Sequence, residues 1–355
     1  MPRLSNPVTV RGLKIGGGAP VVVQSMTNTK TADVQQTLSQ IKHLEEVGCK
    51  LVRVTVPDTE AAEALPGIRR GTELPLCADI HFDYRLALEA VRAGFDKIRI
   101  NPGNIGSKER VRLVAAACAE RGIPIRIGVN SGSVEKELLQ RYGGPTPEAL
   151  VESALRHAAL LEEVSFTDIV ISIKASNVRA TVEANRLLAR CCPYAIHLGV
   201  TEAGTPTMGV VKSAVGIGSL LLDGIGDTIR VSLTADPVEE VPAAYRILSA
   251  CGLLPDAPEL ISCPTCGRTG IDLIPLANRV EEALAKKKVP IKVAVMGCVV
   301  NGPGEAREAD VGIAGGRGEG VLFSKGKILK KVLEPMLFEE LMQEIDRMER
   351  ERCGK

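Results

Sequence analysis

The feature that most constrains this chain is an alternation. Short aliphatic runs recur eight times, at Val21–Met26, Leu51–Val56, Leu74–Ile80, Lys97–Ile100, Ile123–Val129, Ile169–Ile173, Ala195–Val200 and Thr228–Leu233. Helical periodicity fills the intervals, for example over Asp33–Val47, Asp83–Ala93 and Lys108–Arg121. Near-continuous Val, Ile and Leu in a strand implies burial on both faces, the condition of a parallel sheet covered by helices. Eight such units over roughly 235 residues have the count and size of an α/β TIM (β/α)8 barrel. A doubly wound open sheet is the structural alternative, and the lack of a G-x-G-x-x-G opening the first helix weighs against it. Ahead of the first unit, V-T-V-R-G-L-K-I followed by G-G-G reads as a short β-hairpin.

The stretch Cys251–Glu259, C-G-L-L-P-D-A-P-E, reads as a linker. It divides a substrate-binding barrel, residues 1–253, from a smaller α/β domain, residues 254–355. In the second domain the sequence predicts a helix at Leu276–Lys288, a strand at Ile291–Val295 and a turn-rich G-I-A-G-G-R-G-E-G segment. A charged amphipathic helix from Pro335 to Arg350 ends it. Hydrophobic content of 45% and charged content of 25% suit a soluble enzyme. Lys+Arg 44 against Asp+Glu 43 leaves a net charge of +1, which gives no electrostatic case for nucleic acid or an anionic membrane. The N-terminus lacks the apolar core of a signal peptide, and no apolar run is long enough to span a bilayer. Ten cysteines without an export signal argue for a reducing cytoplasm.

The barrel strands carry charges where aliphatics are expected. Arg53 lies in L-V-R-V-T-V, Arg99 in K-I-R-I-N-P-G, Arg126 in P-I-R-I-G-V-N, Lys174 in I-S-I-K-A-S and Arg230 in T-I-R-V-S-L. With period-two alternation, aliphatics facing the helices send these five cations into the barrel interior. Buried bases need partners. Asp79 and Glu202, at strand ends, are too few to neutralise them, which points to an anionic ligand, and Arg forks suit a diphosphate. Asp79, His81, Asn101, Asn104 and Asn130 fall at or just past the C-terminal ends of strands, the face where TIM-barrel active sites form. His43 and His157 lie in helices and read as structural, while His197 sits inside a strand.

Most cysteines read as small buried hydrophobes: Cys49, Cys77, Cys118 and Cys251 stand singly, and Cys191 and Cys192 precede Pro193 at a helix end. A C-terminal group differs. S-C-P-T-C-G-R-T-G-I-D and M-G-C-V-V-N-G-P-G-E supply Cys263, Cys266 and Cys298, with Glu305 one loop further. Pro and Gly beside each of them turn the backbone tightly and free N–H groups to point at sulfur, as in an iron–sulfur site. C-x-x-C alone also fits zinc or a redox dithiol, but a zinc ribbon brings a second C-x-x-C or a His pair. Glu305 would be a hard, labile oxygen ligand on a soft cluster. Cys353 is the other candidate for the fourth ligand, in a charged tail expected to fray.

End to end, the chain resembles the short, two-domain bacterial 4-hydroxy-3-methylbut-2-enyl diphosphate synthases of the non-mevalonate isoprenoid pathway. The likeness rests on Q-S-M-T-N-T from Gln24, A-D-I-H-F from Ala78, K-I-R-I-N-P-G-N-I-G from Lys97, H-L-G-V-T-E-A-G from His197 and both cysteine motifs. It implies a TIM barrel followed by an iron–sulfur domain resembling a sulfite-reductase module. It further implies a [4Fe–4S] cluster on Cys263, Cys266, Cys298 and Glu305. The implied reaction is reductive opening of 2-C-methyl-D-erythritol 2,4-cyclodiphosphate with loss of a hydroxyl as water. Arg53, Arg99, Arg126, Lys174 and Arg230 would hold the diphosphate, Asn101, Asn130 and Ser232 would hydrogen-bond its oxygens, and Asp79 and His81 would complete the mouth. Glu202 would protonate the leaving hydroxyl. With no nucleotide motif, electrons would come from a flavodoxin or ferredoxin, and the implied assembly is a head-to-tail homodimer. Two other readings stay open on residues alone. One is a phosphate- or pterin-binding barrel similar to dihydropteroate synthase with a structural zinc domain; the other is a non-enzymatic electron carrier or cluster scaffold.

Overall fold

The computed structural model describes residues 3–287, 289–298 and 307–353; Glu305 lies outside them. The chain forms two compact units, Met1–Leu253 and Leu254–Lys355. In the first, strands β1 (Val8–Val10) and β2 (Leu13–Ile15) pair antiparallel as the expected hairpin. Eight parallel strands then close into a barrel: β3 (Val22–Met26), β4 (Leu51–Thr55), β5 (Leu76–Asp79), β6 (Lys97–Ile100), β7 (Ile125–Asn130), β8 (Ile169–Lys174), β9 (Ala195–Leu198) and β10 (Thr228–Ile229). Neighbours in sequence are neighbours in the barrel, and β10 closes it on β3. This is the TIM barrel that the alternation predicts.

Local chemistry sets the helix starts. Asp33, Asp58, Asp83, Asn177 and Asp236 each follow a strand and accept a backbone N–H from the first turn of the next helix. Each such cap contributes about 1 kcal/mol and fixes where a βα loop ends. The hairpin plugs the floor of the barrel: Val8, Val10 and Ile15 pack with the inward-facing Val22, Leu51, Cys77, Val170 and Ala195. That apolar floor closes the N-terminal mouth and leaves the C-terminal one for chemistry. The last strand is shorter than expected. It ends at Ile229, so Arg230 and Ser232 lie in the loop beyond it, although the Arg230 N–H still donates to the Leu198 carbonyl at 3.0 Å.

The second unit is a five-stranded sheet: β11 (Glu259–Ser262), β12 (Lys292–Met296), β13 (Val311–Gly315), β14 (Glu319–Ser324) and β15 (Lys327–Leu333). The first three are parallel and the last two antiparallel. The segment read as turn-rich is therefore strand–turn–strand. Its glycines are packing devices: a Cβ at Gly312 would meet the Phe323 ring at 2.6 Å, and one at Gly315 would meet Ile271 at 2.5 Å. Helix Leu273–Leu284 begins a turn before the expected Leu276, and with the final helix it buries one face of the sheet. Leu273, Leu276, Val280 and Leu284 pack there with Leu337, Leu341 and Ile345, at helical spacing, over Val293, Val295, Val311 and Ile313. The charged tail is helical as far as Cys353: the helix runs Leu337–Cys353, supported by Arg347 between Glu344 and Glu351 and by Arg352 on Asp310.

Candidate active site and cysteine centre

Strand register puts the charged residues on one face. Arg53 pairs with Cys77, Asp79 with Arg99, Arg99 with Arg126, and Asn130 with Lys174. Register partners share a face, and that face is the interior, because Arg126 reaches across the barrel to donate to Gln24 Oε1 at 3.2 Å. Two glycines make the room. A Cβ at Gly128 would meet Arg99 Nε at 2.5 Å, and one at Gly199 would meet Lys174 Nζ at 2.8 Å.

Asp79, buried, lies 3.0 Å from Arg99 and 3.5 Å from Arg53. Burial alone would raise its pKa, but the two guanidiniums outweigh it and hold the carboxyl down at about 2. Arg230 is engaged at 3.1 Å by Glu240, an acid the sequence analysis missed; it sits on helix Pro237–Ala250 and is 2% exposed. Its only signal was an acid one helical turn into an otherwise apolar face. Glu202, expected to share the neutralisation, is instead exposed at the mouth.

The remaining cations are poorly served. Among the described residues no carboxylate pairs with Arg126 or Lys174, and Arg126 Nε has no partner. Arg53, beyond the Asp79 carboxylate it shares with Arg99, directs Nε and Nη2 at the Met26 thioether, at 3.0 and 2.7 Å, one of the weakest acceptors a protein offers. Burial first, and then the neighbouring guanidiniums, pull the Lys174 ammonium well below its ordinary pKa. A sixth base, Lys97, was also missed. It shares the inward face of K-I-R-I with Arg99, lies one step deeper and is fully buried.

Above this layer a cleft of about 330 Å³ opens at the C-terminal mouth, lined by His81, Arg99, Asn101, Asn104, Asn130 and Glu202 with Ser131, Ser133, Ser176 and Thr201. Ser232 is half-buried in the loop after β10. Glu202 adopts φ +52, a left-handed conformation costly for a side chain of its size and typical of residues held in place by a site. His197 is buried; its Nδ1 lies 2.6 Å from Thr228 Oγ1, and burial with Lys174 and Arg126 nearby keeps the ring neutral. His157 is structural, with Nε2 3.1 Å from Glu135 Oε1.

In the second unit, hydrogen bonds bring the two cysteine motifs together. The Gly297 N–H donates to Cys263 Sγ at 3.1 Å, and the Gly270 N–H donates to the Gly297 carbonyl at 2.9 Å. A Cβ at Gly297 would meet Thr269 at 3.0 Å, so glycine permits the approach. Cys298 follows directly. The Arg268 N–H, and then its side chain, lower the pKa of the exposed Cys266 thiol. Among the described residues no three of His, Cys, Asp and Glu gather closely enough to enclose a metal ion. The other thiols behave differently: Cys49, Cys77 and Cys118 are buried, and burial pushes Cys118 up to about 12.

A closed (β/α)8 barrel with cations gathered inside it, followed by a cysteine-bearing α/β unit, defines a protein of the TIM-barrel class. The GcpE TIM-barrel domain matches residues 5–245 and the GcpE protein C-terminal domain matches residues 259–347, so the chain belongs to the GcpE family. It is 58% identical over 351 residues to a protein of Geobacillus thermodenitrificans (strain NG80-2), covering 99% of this chain and 94% of that one. To a protein of Clostridium acetobutylicum it is 61% identical over 341 residues, covering 96% and 98%. Both relatives are named 4-hydroxy-3-methylbut-2-en-1-yl diphosphate synthase (flavodoxin). Among solved structures, dihydropteroate synthase from Stenotrophomonas maltophilia aligns at TM-score 0.51 and 15% identity over 69% of this chain and 99% of that one. That likeness speaks for the barrel fold alone.

Proposed function

We propose that this chain is an iron–sulfur oxidoreductase that opens 2-C-methyl-D-erythritol 2,4-cyclodiphosphate reductively to (E)-4-hydroxy-3-methylbut-2-enyl diphosphate, a step in isoprenoid precursor biosynthesis. The observation that carries the substrate reading is the poor partnering of Arg126 and Lys174 inside the barrel, with Arg53 sharing one carboxylate, Asp79, with Arg99. Arginine directed at a thioether beside a buried lysine without a carboxylate is a setting for a compact dianion, not for a pterin. Arg53, Arg99, Arg126, Lys174 and Arg230 bind the two phosphates, with Asn101, Asn130, His81 and Ser232 donating to the remaining oxygens and Asp79 fixing the Arg53 and Arg99 forks.

The donor set of the second unit, residues 254–355, fits a [4Fe–4S] cluster. Cys263 Sγ already accepts a backbone N–H, as a ligating sulfur does, and the Cys266 thiol is biased toward thiolate. Cys263, Cys266, Cys298 and Glu305 would hold the cluster, which when bound supplies electrons singly to the substrate. Two electrons and one proton convert the dianionic substrate to a trianionic product and water. Glu202, on the cleft, delivers the proton to the departing hydroxyl. The relatives' name supports flavodoxin as donor, with ferredoxin an alternative of the same kind. We place the reaction in the cytoplasm; among the described residues no helix is long and apolar enough to cross a membrane.

We further propose a homodimer. Met208, Val211, Val215 and Leu222 form one exposed apolar stripe on helix Pro206–Leu222, the kind of face a second copy covers. Mixing Cys298→Ala and Arg126→Ala chains tests whether the two centres cooperate between subunits: recovered activity is expected, and no recovery counts against it. The primary test is anaerobic purification with visible spectroscopy, iron and sulfide assay, and turnover with reduced flavodoxin. A brown protein that consumes the cyclodiphosphate is expected; a colourless zinc protein would overturn the reading.

A further inference from the structure

The mechanism above leaves Lys97 unused, yet it is the strangest residue of the barrel. It is 0% exposed, and its Nζ has no hydrogen-bond partner. Buried lysines are rarely tolerated in this state unless they shed their proton or gain a counter-charge. From β5, the register partner Cys77 is a buried thiol whose pKa is raised by burial. Arg126 on β7 is the main repulsion that Lys97 meets. On β9, burial first and then Lys174, Arg126 and Lys97 itself hold the His197 ring below its ordinary pKa. Asp227, ahead of β10, is committed at 2.7 Å to Ser5 Oγ and to the Ile196 N–H. Among the described residues Nζ meets no hydrogen-bond acceptor, and only the charges of Cys77 and Asp227 favour the ammonium.

We propose that Lys97 is a reserve cation beneath the anion site, a positioning residue that takes up a proton when a dianion fills the mouth and stiffens the positive field behind Arg126. This rests on the substrate reading above. Geometry makes the coupling direct: Lys97 is two residues below Arg99 on one strand face, about 7 Å by strand rise. Two negative charges held against Arg99, about 10 Å or more from the ammonium in a protein interior, raise its proton affinity roughly tenfold or more. Without ligand, burial first and Arg126 second pull Lys97 down to about 7, so its charge is poised at the working pH.

The cyclic diphosphate has no titration of its own near neutrality, which makes the linkage readable. Titration calorimetry of the holoenzyme with the cyclodiphosphate, at about pH 8 in Tris and in HEPES, reports protons exchanged on binding. Uptake on the order of one proton is expected at pH 8, fading toward zero at pH 6, where Lys97 is already charged. The dissociation constant should rise with pH above neutrality, by up to roughly tenfold per pH unit. Lys97→Met should take up roughly one proton fewer than the native enzyme, with any uptake by Lys174, whose ammonium is also held well below its ordinary pKa, remaining; His197→Asn should keep the native uptake. Binding by the native enzyme without uptake, or uptake undiminished in Lys97→Met, overturns the proposal. Where Lys97→Met fails to fold, Lys97→Gln carries the same comparison. An absence of binding at every pH sinks the substrate reading instead.

Discussion

The barrel and the second unit solve the problem of a reactive site in opposite ways. In the barrel the charges sit on strands, at inward positions fixed by register, with Gly128 and Gly199 sized to admit them. Desolvation and mutual repulsion are imposed by the fold before any ligand arrives. In the second unit the sheet and its two helices make an ordinary apolar core, and the cysteines sit on the loops after β11 and β12. Cys263 is half-buried and Cys266 exposed, held by a few backbone hydrogen bonds. The barrel layer is crowded with like charges by its fold, whereas the cysteine loops are left open.

That contrast can be broken experimentally. Cys298→Ala should abolish turnover by more than about 10³-fold and remove the visible absorption, yet leave cyclodiphosphate affinity unchanged; a parallel loss of affinity would mean the two sites are not separable. Glu202→Gln should lower kcat on the order of 10²-fold to 10⁴-fold, the usual weight of a general acid, with KM little altered and the cluster spectrum intact; a change confined to KM would make Glu202 a binding residue. Arg126→Met should weaken binding by about 10-fold to 100-fold, the scale of one charge-assisted contact, with iron content preserved. Loss of iron in that variant would contradict the independence of the barrel site.

The last comparison concerns the stability of the ligand-free barrel. Lys97 has a native pKa near 7 and, when unfolded, an ordinary one near 10.4. Between those values the unfolded chain binds the extra proton, so this residue's contribution makes native stability rise with pH; its penalty is complete below pH 7 and gone above pH 10.4. Denaturant melts of the ligand-free protein should therefore show Lys97→Met more stable than the native chain at pH 6, on the order of 5 kcal/mol, with the gap shrinking by pH 9. An equal gap at both would show that Lys97 keeps its proton.

What the sequence determined alone was what periodicity carries. Alternation of aliphatics and helices sufficed for the barrel, and period two within strands sufficed to send Arg53, Arg99, Arg126 and Lys174 inward, because side-chain direction in a strand is a local property. The same rule would have given Lys97 had it been applied to every residue of K-I-R-I. The cysteine spacing pointed to a soft-metal site through composition of the loops. Only the tertiary structure decided which acid neutralises which base: Glu240 reaches Arg230 from the following helix, while Glu202, nearer in expectation, stays at the cleft with φ +52. It also decided that G-I-A-G-G-R-G-E-G is a hairpin, since its glycines answer to Phe323 and Ile271, residues outside the segment. Partnership and close approach depend on what the fold brings alongside, and no local pattern holds that information.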